Sequence, residues 1–321
     1  MDGAATESGA GAGSGTGSGV TVVACAQVRL AVGDPAANRA ATLDAIDRAA
    51  EAGARIVVLP ELANSGYVFR DAAEAAALAE PVGPLVGDGS ATEAAGPTVG
   101  AWTEAARRHG IVLVAGLAEK APDGLIRNSA VLIDPDGVRA VYRKAHLWGR
   151  ESEFFVPGDA PPPVVATAFG DVGLMVCYDL EFPEWVRLPA LSGAELLCAP
   201  VNWPYAPRPE GERPAEVVRV QADAAVNRMF VAACDRAGPE RGTDWVGGSV
   251  ITDPDGFPLA GPHPGEETLL LAECRLADAR DKHIGTYNDV HADRRPELYA
   301  PVAAGTRNTV GDNPATKKDS R

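Results

Sequence analysis

Residues 171 to 185 read DVGLMVCYDLEFPEW. Val172 to Val176 is a short apolar run rich enough in branched side chains for a buried strand, and Cys177 stands where that run stops. Beyond it, Phe182-Pro183-Glu184 places a proline and an acid in the arrangement that commonly opens a helix. The stretch therefore predicts a strand, a corner bearing Cys177, and a helix. In an open α/β sheet ligands bind at the carboxyl ends of the strands, so a thiol at this corner faces the expected site. Free cysteine is nevertheless among the most buried residue types, and a lone one is more often packing than chemistry. Its neighbours must decide between the two.

Outward from this corner the chain repeats itself. After the strand at 172–177 come a helix from about 183 to 192, a strand at 195–201, a helix from about 214 to 228 and a strand at 230–234. Segments 248–252 and 268–274 then read as a hairpin whose first turn is Asp253-Pro254-Asp255-Gly256. The first half shows the same order: strand 20–28, helix 35–54, strand 55–59 ending at Pro60-Glu61, helix 98–109 stopped by Gly110, and strand 111–117. It too ends in a hairpin, 129–133 with 138–142 around Asp134-Pro135-Asp136-Gly137. This recurrence over 20–144 and 172–276 predicts a structural duplication, two halves each with a sheet covered by helices and the two sheets facing each other.

Composition bounds the remaining possibilities. The 321 residues fit one large α/β domain or two smaller ones. Net charge is −15 and no run of Lys and Arg could track a phosphate backbone, which argues against nucleic acid as a partner. No apolar segment approaches the roughly 18 residues of a membrane span, and the N-terminus lacks the regions of a signal peptide, so a cytoplasmic protein is expected. Residues 1–19 alternate Gly with Ala, Ser and Thr and predict a disordered tail, residues 20–300 the folded domain, and 301–321 a mobile end. The glycines at odd positions from Gly9 to Gly19 precede a strand and cannot satisfy GxGxxG, so they do not make a phosphate loop. Five cysteines without a CxxC pair, and five histidines without ligand spacing, predict neither disulfide framework, metal site nor cofactor.

Three polar residues end strands in this reading: Glu61, Lys144 and Cys177. A cysteine nucleophile needs a base to take its proton or a cation to hold its charge. Glu61 can be the base. Lys144 can be the cation, and can also stabilise the oxyanion formed when sulfur attacks a carbonyl or nitrile carbon, aided by the backbone N–H of Tyr178. Between residues 20 and 277 the chain uses Lys only at 120 and 144 and relies on Arg elsewhere, so Lys144 departs from local habit. Solvated strand ends remain the plainer reading of both Lys144 and Glu61 taken singly.

The combination is more telling than its members. Pro60-Glu61-Leu62 with Gly66-Tyr67, Tyr142-Arg143-Lys144-Ala145-His146-Leu147, and Cys177-Tyr178-Asp179 with Phe182-Pro183-Glu184 resemble, in order, the nitrilase superfamily of carbon–nitrogen hydrolases. The resemblance runs from about Val20 to Tyr299 and includes Asn128-Ser129-Ala130, Asn227-Arg228 and Arg294 to Tyr299. It implies an αββα sandwich, usually paired through its helices into a homodimer or larger homo-oligomer, and a Glu-Lys-Cys triad. Carried onto this chain, Glu61 would be general base, Lys144 oxyanion stabiliser and Cys177 nucleophile. A second glutamate ahead of a Pro-Gly turn falls at Glu151, before Pro157-Gly158, with Glu153 the alternative. It would position the substrate nitrogen or assist proton transfer, and Asn202 or Trp203 would contact the carbonyl side.

The resemblance implies hydrolysis of a small amide through a thioester, with an N-carbamoyl amine or a nitrile as alternatives. Cys-Tyr-Asp followed by Phe-Pro-Glu is more like amidases than nitrilases. Glu181 stands where several relatives carry an Arg that could receive a carboxylate, which favours neutral or cationic amides unless Glu181 merely faces solvent or pairs with Arg187. Tyr67, Trp148, Phe154, Phe155 and Trp203 could line an apolar pocket or simply pack. Two rivals stand beside this reading. His146, two residues from Lys144, could make a Cys-His hydrolase; alternatively the fold could serve as a non-catalytic binding protein, though no charge block or amphipathic extension marks a partner surface.

Overall fold

A computed structural model describes residues 19–87 and 93–304. Apart from Gly19 and residues 301–304, the two tails expected from composition lie outside the described residues. The chain divides into two units, through Lys282 and from His283. Described by itself, the second is a short antiparallel ladder pairing His283 with Asp289 and Ile284 with Asn288, followed by short helical turns.

The first unit begins with β1 (Thr21–Gln27), α1 (Pro35–Glu51), β2 (Ile56–Val58), α2 (Ala72–Leu78), α3 (Pro97–His109), β3 (Val112–Lys120), β4 (Ile126–Asp134) and β5 (Gly137–Arg143). It continues with β6 (Val164–Thr167), β7 (Gly170–Leu174), α4 (Pro183–Leu191), β8 (Leu196–Pro200), α5 (Ala215–Asn227), β9 (Phe230–Cys234), β10 (Val250–Thr252), β11 (Pro258–Ala260) and β12 (Thr268–Cys274). Two six-stranded sheets result, ordered β12-β1-β2-β3-β4-β5 and β11-β10-β9-β8-β7-β6. Each has three parallel central strands, one antiparallel neighbour on one side and an antiparallel hairpin on the other. This is the αββα sandwich with its internal duplication.

One expected pairing is wrong. Segment 268–274 does not close a hairpin on 248–252; β11, directly after the Asp253–Gly256 turn, takes that place. Instead β12 crosses to the first sheet and pairs with β1 over its whole length, from Thr21 opposite Cys274 to Gln27 opposite Thr268. Without it β1 would be an open edge of unpaired N–H and C=O groups. Two apolar runs around a turn signal resemble a hairpin locally, and only the sheet's need for an edge cover separates the alternatives. The second half meets the same need with β6, which precedes β7 in the chain.

Local chemistry accounts for the boundaries. Asp34 accepts the Ala37 N–H and Pro35 sits in the first turn of α1. Gly110 closes α3 in the left-handed region at φ 63°. Strand alternation then divides the core: Val23, Cys25, Ile56, Val58, Val112 and Val114 face the second sheet, whereas Ala24, Ala26, Val57, Leu113 and Ala115 pack under α1 and α3. Trp102 of α3 is fully buried there and donates its Nε1–H to Thr42 Oγ1 at 3.0 Å.

At Gly116 of β3 the loop carrying Glu61 comes too close for any side chain. The Gly116 N–H donates to Pro60 O at 3.1 Å and its carbonyl accepts the Ala63 N–H at 2.8 Å. A Cβ there would lie 2.5 Å from Glu61 Cα and 2.7 Å from Pro60 O, both backbone atoms. Gly116→Ala should therefore cost about 1–3 kcal/mol, and about 2–4 °C of Tm for each kcal/mol in a chain of this size. Gly100, an exposed position in α3 with nothing within 4 Å of its would-be Cβ, supplies the control: Gly100→Ala should stabilise by about 0.5–1 kcal/mol. Thermal melts of the two variants should move in opposite directions; equal shifts would contradict the close-approach argument.

Candidate active site

Glu61, Lys144 and Cys177 reach one place from three strand ends. Glu61 follows β2, where the chain turns through Leu62 at φ 51°, and its N–H donates to Val201 O beyond β8 at 3.4 Å. Lys144 follows β5; its N–H donates to Asn128 O at 2.9 Å and its carbonyl accepts from Gly158 at 2.8 Å. Cys177 follows β7 and is held at φ 46°, a left-handed conformation that side-chain-bearing residues adopt only under constraint.

That constraint comes from Asp179, which is fully buried. Its N–H donates to Val176 O at 3.1 Å, closing a 3₁₀ turn. Its carboxylate accepts the Tyr142 hydroxyl at 2.7 Å and the His146 N–H at 3.1 Å, and lies 2.7 Å from His146 Nδ1. Trp185 Nε1–H in turn donates to the Tyr142 hydroxyl at 2.9 Å. His146, stacked on Phe182 at 3.8 Å, is thus engaged with Asp179 and braces the corner.

The charges sit in a line. Lys144 Nζ is 2.7 Å from Glu61 Oε1 and 2.7 Å from Glu151 Oε1. Glu61 Oε1 also accepts from Asn128 Nδ2 at 2.7 Å, and Glu151 Oε1 accepts the Tyr67 hydroxyl at 2.5 Å. Glu151 Oε2 accepts the Trp148 N–H at 3.1 Å. Burial pushes Glu61 up to about 7, against the pull of Lys144 and with help from the Glu151 charge. Burial works to strip Lys144 of its proton, but Glu61 and Glu151 outweigh it and the ammonium is held more firmly than in water. Cys177 goes the same way as Glu61: burial, then the Glu61 charge, push its thiol well above the usual range despite Lys144. The resting group is a neutral thiol beside a carboxylate able to take its proton.

The other expected residues separate into two sets. Asn202 lies against the centre: its carbonyl is 3.7 Å from Cys177 Sγ and its Nδ2–H donates to Glu61 O at 2.9 Å. Trp203 is packed in the core, giving its N–H to Asp235 at 3.1 Å. The Tyr178 ring packs against Trp148 and Phe182. Tyr67, Trp148, Phe154 and Phe155 line a cavity of about 220 Å³ together with Phe69 and Trp245, and Glu151 reaches its wall. Glu181 pairs with Arg219 at 2.5 Å, on α5, and not with Arg187. Sequence reading passed over Asn128, Asp179 and Glu240. Glu240 holds the first half's loop from the second, accepting the N–H groups of Val32, Tyr67 and Val68 at 2.7–2.9 Å. Asn128 and Asp179 were visible as motif members; nothing local to Glu240 reveals a partner some 170 residues away.

Residues 21–283 match the carbon-nitrogen hydrolase family, and the chain belongs to it. It is 36% identical over 279 residues to a nitrilase from Pyrococcus abyssi, covering 86% of this chain and 98% of that protein. An amidase from Nesterenkonia sp. superposes with a TM-score of 0.70 at 30% identity, over 89% of this chain and 97% of that one. A variant of the amidase from Nesterenkonia sp. AN1, with a TM-score of 0.69, 30% identity and coverage of 88% and 96%, shows covalent addition of the acetamide moiety of fluoroacetamide at its active-site cysteine.

Asp179→Ala should show how far the corner depends on its clamp. Leaving the buried Tyr142 hydroxyl and the His146 N–H without their acceptor should cost about 2–4 kcal/mol in denaturant titration. Iodoacetamide should alkylate Cys177 faster as the turn loosens; unchanged stability and unchanged alkylation would remove Asp179 from this role.

Proposed function

We propose that the protein hydrolyses the C–N bond of a small carboxamide, with Cys177 as nucleophile, Glu61 as general base and acid, and Lys144 as oxyanion stabiliser. The observation that carries this is the buried Glu61–Lys144–Glu151 line at 2.7 Å spacing beside a strained cysteine. Glu61 Oε2 is buried without a hydrogen-bond partner among the described residues, an acceptor left open on the one carboxylate that influences Cys177 most.

The steps follow from these positions. As Cys177 Sγ bonds to the amide carbon, its proton passes to Glu61. The carbonyl oxygen becomes an oxyanion facing the Lys144 ammonium and the Tyr178 N–H. Collapse breaks the C–N bond, and Glu61 returns the proton to the departing nitrogen as ammonia or an amine. Water then gives a proton to Glu61 and attacks the thioester; the C–S bond breaks, the carboxylic acid leaves and sulfur recovers its proton. Glu151, with both oxygens occupied, acts by holding Lys144.

Cys177→Ala should lower amide turnover by roughly 10⁴-fold or more while circular dichroism and Tm stay near wild type; retained turnover would refute the nucleophile. The pH profile gives an independent check. Glu61 works deprotonated, so kcat/KM should rise with pH through a limb near 7, a property of the coupled cluster. Glu151→Gln removes a charge that raises Glu61 and should shift this limb to lower pH; a limb that stays put or moves up would count against Glu61 as its source.

A further inference from the structure

The cavity beside the charged line is walled mainly by aromatic rings packed edge-on against one another, with Trp245 Nε1–H a buried donor that has no partner among the described residues. Phe69 packs edge-on against Phe154 and Phe155 with centroids 5.8 Å apart, and Tyr67 meets Trp245 at 5.1 Å. Each charge at its wall is already engaged. Glu151 is bound by Lys144 and Tyr67. Arg150 is tied to Glu153 at 2.8 Å and lies over the Phe154 ring at 5.1 Å. A substrate carboxylate would find no uncommitted cation among these lining residues, and an ammonium would meet Arg150 and no free carboxylate. Stripping either of water without a partner is strongly unfavourable. Size sets a second limit: at about 220 Å³ the cavity exceeds the about 150 Å³ in which an engineered apolar pocket holds benzene.

At the opposite end of the line stand three buried acceptors with no partner among the described residues, Glu61 Oε2, Asn128 Oδ1 and Asn202 Oδ1. Both asparagines adjoin Glu61, Asn202 Nδ2 donating to Glu61 O at 2.9 Å and Asn128 Nδ2 to Glu61 Oε1 at 2.7 Å. An unsubstituted amide nitrogen offers two N–H donors; an alkylated nitrogen offers one, and a nitrile none.

Resting on the amidase reading above, we infer that the substrate is a primary amide whose acyl chain is uncharged, apolar and about the size of a phenyl or pentyl group, its –NH₂ set against Glu61 and Asn202 and its chain filling the aromatic cavity. The selectivity follows from what the cavity lacks as much as from what it offers.

A matched set of four primary amides tests this: hexanamide, 6-aminohexanamide, the monoamide of hexanedioic acid, and acetamide. Hexanamide should exceed each of the other three in kcat/KM by roughly 100-fold. Phe154→Ala should cut the hexanamide-to-acetamide ratio by roughly tenfold, since the ring removed touches the long chain and not the short one. A charged amide turned over as well as hexanamide, acetamide turned over as well as hexanamide, or an unchanged ratio in the variant would each overturn the inference while leaving the amidase reading intact. Silence on all four with wild-type protein would instead strike that reading, and the inference would fall with it.

Discussion

The structure depends on a lysine placed where a lysine is least welcome. Lys144 is fully shielded from solvent, and an ammonium moved out of water without compensation would be untenable in a folded chain. Two carboxylates at 2.7 Å make it tenable. They in turn are buried and of like charge, and the lysine stands between them. Removing one partner of such a buried arrangement typically costs about 3–5 kcal/mol. The surrounding backbone is accordingly built tight: Gly116 admits the Glu61 loop and Gly158 lies against Arg143 O with no room for a Cβ.

The duplication explains how these groups come together. In the two sheets β2 corresponds to β8, and the residues that follow them meet: the Glu61 N–H donates to Val201 O, and Asn202 Nδ2–H donates to Glu61 O. Equivalent loops therefore clasp across the sandwich, one bearing an acid and the other an amide. Cys177 joins from β7 and Lys144 from the end of the first half's hairpin. No single half could assemble the group. Glu240 applies the same logic to the cavity, a second-half carboxylate ordering the first-half loop that carries Tyr67.

Most of this was legible in the sequence where physics is local. Strand and helix positions in both halves follow from apolar periodicity and from Pro, Gly and Asp signals, because a cap or a turn is decided within a few residues. Glu61, Lys144 and Cys177 stood out because each is a polar residue at a strand end, although the resemblance and not spacing alone brought them together. What escaped was non-local. The partner of β12 is decided by an edge left open some 250 residues earlier in the chain, and Glu181 pairs with Arg219 and not the nearer Arg187 because the 3₁₀ turn that it ends packs against α5. Trp203 looks in sequence like the other aromatics near strand ends, yet its backbone N–H is anchored on Asp235 and its ring lies in the core.

The same burial that makes Lys144 expensive also governs the thiol. A cysteine carrying its proton is a weak nucleophile and a poor target for oxidants, since reactivity belongs to the thiolate. Cys177 is kept in that state by burial and by Glu61, with Lys144 pulling the other way but not prevailing. Proton transfer from a thiol pushed well above its usual range to a carboxylate near 7 is uphill on its own. It becomes favourable only as sulfur bonds to carbon and negative charge moves onto an oxygen that Lys144 can face. In the proposed mechanism the ammonium therefore acts on the transition state and not on a standing thiolate, the arrangement in which a buried charge does most for rate and least to the resting enzyme.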